Sequence, residues 1–133
     1  MSSSSSYVPA IGRLMLALVF LISGIGKIVA PAATQSYIAA AGLPLPMLAY
    51  VIAVVVEIGG GVLLVLGVRT RVVAMILALF SIAAALSFHH NFADQNQFIH
   101  FLKNVAMAGG LLQVYAFGAG AWSIDSRSAV PAR

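Results

Sequence analysis

The stretch that decides the fold is "AYVIAVVVEIGGGVLLVLG", Ala49 to Gly67. It is apolar almost throughout, and it carries one ionisable residue, Glu57, near its centre. It has the length of a bilayer-crossing helix, which needs about 20 predominantly apolar residues. A carboxylate at mid-depth in hydrocarbon costs several kcal/mol unless it faces a bundle interior and finds a partner. The question the stretch raises is therefore which group meets Glu57.

The rest of the chain supports a membrane setting. Of 133 residues, 62% are hydrophobic and 8% charged, and the mean hydropathy is +1.05. A soluble domain carries about 25% charged residues. The net charge of +4 comes from seven Lys and Arg that form neither a stripe nor an aromatic-interleaved patch, so nucleic-acid binding is not indicated. There is no cysteine, which excludes disulfides, thiolate metal sites and thiol redox chemistry.

Composition and length predict one all-α domain over residues 1–133, a four-transmembrane-helix bundle. Its spans fall at about 9–30, 45–66, 70–88 and 98–118. Pro9 suits a first helical turn and Pro31 ends the first span. The connector "AATQSYIAAAGLPLP" is expected to hold a short interfacial helix, with Gly42 as its stop. The head "MSSSSS" and the tail "SIDSRSAVPAR" read as polar termini, and "HHNFADQNQ", His89 to Gln97, as an outer loop. The first span lacks the basic start of a signal peptide, and its small-residue exit contains a proline, so it is expected to be retained. Arg13, Arg69, Arg71, Arg127 and Arg133 fall on one side, against Lys27 and Lys103 on the other. The positive-inside rule then puts both termini in the cytoplasm.

Helical spacing groups the polar residues. Arg13, Phe20, Gly24 and Lys27 share one face of the first span; Tyr50, Glu57 and Leu64 form a stripe on the second, beside Gly60 and Gly61. His100, Lys103 and Asn104 cluster on the fourth. The third span shows only Ser81 and Ser87, and reads as a lipid-facing wall. Gly59, Gly60 and Gly61 would let another helix, or a ligand, come close to Glu57. Counted by depth, Lys103 is the expected partner of Glu57 and Arg13 the second choice, while Lys27, near a helix end, is expected to reach the headgroups.

Several apparent motifs fail. "SGIGK", Ser23 to Lys27, lacks the spacing of a phosphate loop. His89, His90, Asp94 and His100 match no closed metal pattern, so no metal is expected, and they surround one loop rather than bracketing a haem. No nucleophilic triad is legible.

Taken together, "GRLMLALVFLISGIGKI", "AAAGLPLP", "EIGGGVLLVLGVRTR", "HHNF" and "FLKNVAMAGGLL" resemble the DoxX family of small bacterial membrane proteins over about residues 10–115. The family's pattern falls on Arg13, Gly24, Lys27, Glu57, Gly60, Gly61, Arg71, Lys103, Asn104, Gly109 and Gly110. The resemblance implies a four-helix inner-membrane bundle. It also implies a role beside quinone-linked oxidoreductases, since relatives include a subunit of a thiosulfate:quinone oxidoreductase and a membrane part of an oxidative-stress complex. On that reading Arg13, Tyr50, Glu57, Lys103 and Asn104 are the candidate quinone-binding residues. Glu57 is the candidate proton relay, and other redox subunits or a second copy of the chain are the expected partners. A non-enzymatic assembly protein and a small proton-linked permease are the alternatives.

Overall fold

The computed structural model describes residues 7–128; the head "MSSSSS" and the last five residues, Arg133 among them, lie outside the described residues. Every regular element is helical. Helix α1 spans Val8–Val29, α2 Pro31–Ala40 and α3 Pro46–Val54; a π-helical turn, Val55–Gly59, joins α3 to α4, Gly60–Leu66. Then come α5, Thr70–Phe88, α6, Gln95–Phe117, and the short α7, Ile124–Ser128.

Among the described residues, three rods are long and apolar enough to cross a membrane: Val8–Val29, Pro46–Leu66 and Thr70–Phe88. The second has 21 residues, about 31 Å of helix. Helix α6 has the length, 23 residues, but opens with the polar run "QNQFIHFLKN". It begins at Gln95, three residues before the expected start. The Asp94 carboxylate caps it, accepting from the backbone N–H of Asn96 at 2.9 Å and of Gln97 at 3.2 Å. The connector after Pro31 does fold into a short helix, and Gly42 follows it with φ +80°.

Neighbouring rods run antiparallel. Near the start of α1, Arg13 meets the end of α4, and near its finish Lys27 meets Tyr50 and Glu57. Arg71, at the start of α5, donates to the carbonyls of Tyr115 and Ala116 at the end of α6, while His89 just past α5 stacks on His100 near the start of α6.

The expectation of α5 as a lipid-facing wall is wrong. It is the most buried of the three apolar rods, and Val73, Ala74, Leu77 and Ala78 sit in the core with Ala17, Phe20, Leu64, Ala108 and Leu111. The signal was in its small residues. Ala74, Ala78, Ser81 and Ala85 recur every three or four positions on one face, and without a hydrophobic drive between helices it is such faces that pack closely. The glycines of the second rod face both neighbours: a Cβ at Gly60 would come within 2.9 Å of Leu77 and one at Gly61 within 2.7 Å of Leu21.

The tail is also more than a polar terminus. Arg13 is buried, and all its contacts are to carbonyls: Nη1 donates to Leu64 at 2.7 Å and Val65 at 3.0 Å, Nε to Ala119 at 2.9 Å, and Nη2 to Trp122. It thereby binds α1, the carbonyl end of α4 and the chain beyond α6 in one knot. Gly67, with φ +69°, lets Ser123 pack where a side chain would stand. Asp125 then caps α5, accepting from the N–H of Arg69 and of Thr70, both at 2.8 Å.

Burial alone would raise the Asp125 pKa, but the hydrogen bonds from Thr70 and Arg69 and the charge of Arg13 outweigh it and hold the group below its ordinary value. A carboxylate whose folded pKa is depressed contributes stability above its unfolded pKa and loses it as pH falls through the folded one. We therefore predict that thermal stability in detergent declines below the ordinary aspartate pKa of about 3.9. Asp125→Asn should lower stability at neutral pH and shrink that acid limb; acid limbs of equal size in the two proteins would remove Asp125 as their cause. The assignment is tractable because the chain has only three acidic residues.

Candidate functional site

The site begins with a close approach of α1 to the π turn. Gly24 sits on the buried face of α1 with Arg13, Ala17 and Phe20. A Cβ there would lie 2.6 Å from Ile58 Cδ1 and 3.3 Å from Glu57 Cβ, so the glycine lets the two backbones meet at this level. The π turn holds Glu57 at its centre; such turns widen one loop of a helix and are frequent at functional sites. No local sequence signal marks it.

Glu57 is buried. Its Oε1 accepts from Ser23 Oγ and from Lys27 Nζ, each at 3.1 Å. Lys27 Nζ also donates to Ser23 Oγ at 2.8 Å and lies 3.0 Å from Glu57 Oε2. That last contact is an ion pair without hydrogen-bond geometry, so Oε2 keeps unused acceptor capacity. Tyr50 donates its hydroxyl to the Lys27 carbonyl at 3.1 Å. Glu57 thus faces inward, but its partner is neither Lys103 nor Arg13, and Lys27 does not turn out to the headgroups.

The stagger of the two rods explains the correction. Gly24 faces Glu57, Gly61 faces Leu21, and Arg13 reaches Leu64. On that register α1 ends level with about Tyr50, and the start of α3 projects beyond it. Lys27 is then only three residues, about 4.5 Å, above the level of Glu57. Counting depth from each helix end, as if the ends were aligned, placed the two too far apart.

Beside the ion pair lies a cavity of about 770 Å³. Phe20, Ile38, Ile52 and Phe80 give it apolar walls, and α2 covers it through Thr34 and Tyr37. Tyr37 stacks on Phe88 at 5.2 Å. The rest of the polar lining is Ser23, Lys27, Glu57, Ser87, His89, His100, Lys103 and Asn104. Of the candidate residues named from sequence, Glu57, Lys103 and Asn104 border this space. Tyr50 touches it only through Lys27, and Arg13 lies at the other end of the bundle with its guanidinium committed to carbonyls. Lys103 makes no ion pair or side-chain hydrogen bond among the described residues, and Asn104 Nδ2 donates to the His100 carbonyl one turn back at 2.9 Å.

Sequence reasoning missed Ser23 and His89. Ser23 could have been found from its i,i+4 relation to Lys27. His89 stacks on His100 with ring centroids 5.1 Å apart, and its Nδ1 is buried without a partner. Burial, and then the nearby His100, push its pKa down. Among the described residues no group of three or more His, Cys, Asp or Glu could hold a metal ion.

The ion pair is asymmetric: the Glu57 side chain is 6% exposed and that of Lys27 25%. Removing Lys27 strands the deeper charge, whereas removing Glu57 leaves an ammonium with a path outward. Lys27→Met should therefore destabilise the protein by about 3 kcal/mol and Glu57→Leu by about 1–2 kcal/mol. Thermal or chemical unfolding in detergent reads both. The reverse order would contradict this account of the pair.

Comparison with known proteins identifies the family of the chain. The chain is 39% identical over 115 residues to inner membrane protein YqjF of Escherichia coli (strain K12), covering 86% of this chain and 87% of that protein. It is 38% identical over 122 residues to inner membrane protein YphA of the same organism, covering 88% and 87%. No solved structure matches it. The family model DoxX matches residues 8–90, from the start of α1 to just past α5, and so takes in Gly24, Lys27 and Glu57. The chain belongs to the DoxX family.

Proposed function

We propose that this protein is a quinone-binding subunit of the bacterial inner membrane, with four spans and both termini in the cytoplasm. One observation carries the reading: a cavity of about 770 Å³ with apolar walls is lined by a buried carboxylate and by the hydrogen-bonding groups of Lys27, Lys103 and Asn104. A quinone is an apolar ring and tail bearing two carbonyl acceptors. Lys27, Lys103 and Asn104 supply donors for those carbonyls, and Glu57 is the group that carries a proton to or from them. Lys27 takes the place that Arg13 held among the sequence candidates, since Arg13 is occupied elsewhere. The chain has no thiol to pass electrons, so they come from a bound cofactor or a partner subunit.

The cavity favours this reading over the alternatives. An assembly protein needs no such space. A four-span permease needs a second copy to enclose a path, since below Glu57 the interior of one chain is filled by Ala17, Leu64, Leu77 and Leu111, all fully buried. The orientation rests on the basic residues: Arg13, Arg69 and Arg71 stand at the end of the bundle where the tail docks, and Lys27 toward the other.

The test is direct binding. Protein reconstituted in nanodiscs should bind a short-tailed 1,4-naphthoquinone saturably, one per chain. Asn104→Leu should weaken that binding about fivefold to tenfold, the scale of one hydrogen bond, without lowering thermal stability. A well-folded protein that binds no quinone would overturn the proposal.

A further inference from the structure

The charges around the cavity do not cancel. Lys27 and Glu57 neutralise each other at 3.0 Å. Lys103 borders the same cavity and has no anionic partner among the described residues. The only other carboxylates are Asp94, which caps α6, and Asp125, which caps α5 at the far end of the bundle. His89 and His100 also line the cavity and can add only positive charge, and the Tyr37 phenol there is neutral at physiological pH. Two ammonium groups against one carboxylate leave the cavity with one unmatched positive charge. Lys103 is exposed where it borders the cavity, so its ammonium is open to a charged head while an apolar body lies against the walls.

We propose that the cavity selects an amphiphile whose head carries one negative charge on oxygen, with Lys103 as the residue that recognises the charge. This rests on the reading of the cavity as a ligand site and narrows its ligand class. The head would be an ionised hydroxyquinone or a fatty carboxylate; both put an anionic oxygen on an apolar body. The Lys103 ammonium pairs with that oxygen, and Asn104 one residue along is placed to donate a second hydrogen bond. The walls from Phe20, Ile38 and Phe80 take the body.

Pairs of probes that differ in charge alone test this on the intact protein in nanodiscs. One pair is a 2-hydroxy-3-alkyl-1,4-naphthoquinone, ionised at neutral pH, and its methyl ether. The other is laurate and methyl laurate. The ionised member of at least one pair should bind about tenfold tighter or more than its ether or ester, the scale of a hydrogen bond to a charged group. Lys103→Met should abolish that gap, and Lys103→Arg should keep it. Lys103 has no hydrogen bond or ion pair to lose among the described residues, so both variants should fold with wild-type thermal stability.

Outcomes divide cleanly. If hydroxyquinone and methyl ether bind equally well and laurate shows no advantage over its ester, the charge inference fails while quinone binding stands. If neither quinone binds but laurate does, and does so through Lys103, the quinone reading fails while the charge inference stands. A gap that survives Lys103→Met overturns the assignment of Lys103. If no probe binds, the cavity is not a site for this class and the inference falls with the reading it rests on.

Discussion

Lys27 and Glu57 each exist at their depth because the other is there. In hydrocarbon an isolated charge is expensive, and a long apolar helix cannot carry one unless a neighbour answers it. The pair therefore fixes how α1 stands against the second rod: it sets both the rotation that turns each group inward and the stagger that brings them level. Gly24 is the steric condition for that stagger, since any side chain there would meet Ile58 and Glu57. The π turn is the backbone condition, because it holds Glu57 at the point of contact.

The opposite end obeys the same rule with different chemistry. Arg13 has no carboxylate in direct contact and is satisfied by carbonyl oxygens, among them those of Leu64 and Val65 at the end of α4. The negative end of a helix dipole is a favourable place for a cation. Arg71 repeats the arrangement at the end of α6, and Asp125 mirrors it by capping the positive end of α5. Between the two polar levels the bundle is held by shape. Alanine and glycine faces let α1, α4, α5 and α6 approach, and leucines fill the space that remains. The cavity lies above that packed zone, where α2 covers the bundle and the rods leave room beside the ion pair.

Much of this fold could be read before any coordinates. Length, hydropathy and the proline and glycine stops located the three apolar rods and the short helix after Pro31. Seven-residue spacing put Arg13, Phe20 and Lys27 on one face of α1 together with Gly24, and of these Arg13, Phe20 and Gly24 are buried. Three things could not be read that way. The partner of Glu57 depends on the stagger of two helices, a tertiary quantity with no local signature. The burial of α5 was overlooked because polar residues were taken as the mark of an inward face, whereas here alanines mark it. The docking of the tail depends on contacts between Asp125 and Thr70, 55 positions apart. Of the site, Glu57, Lys103 and Asn104 were legible as ionisable or amide groups in apolar helices; the roles of Lys27 and Ser23 waited on the stagger.

The most direct test of this account is the coupling between the two charges that hold the rods in register. A double-mutant cycle with Lys27→Met and Glu57→Met, read by reversible unfolding in detergent, isolates that coupling from the cost of either change. The predicted result is a coupling of about 1–3 kcal/mol, with the double variant more stable than Lys27→Met alone. The same cycle on Lys103 and Glu57 should give a coupling near zero. A negligible coupling for Lys27 with Glu57, alongside a large one for Lys103 with Glu57, would contradict the register and the site built on it.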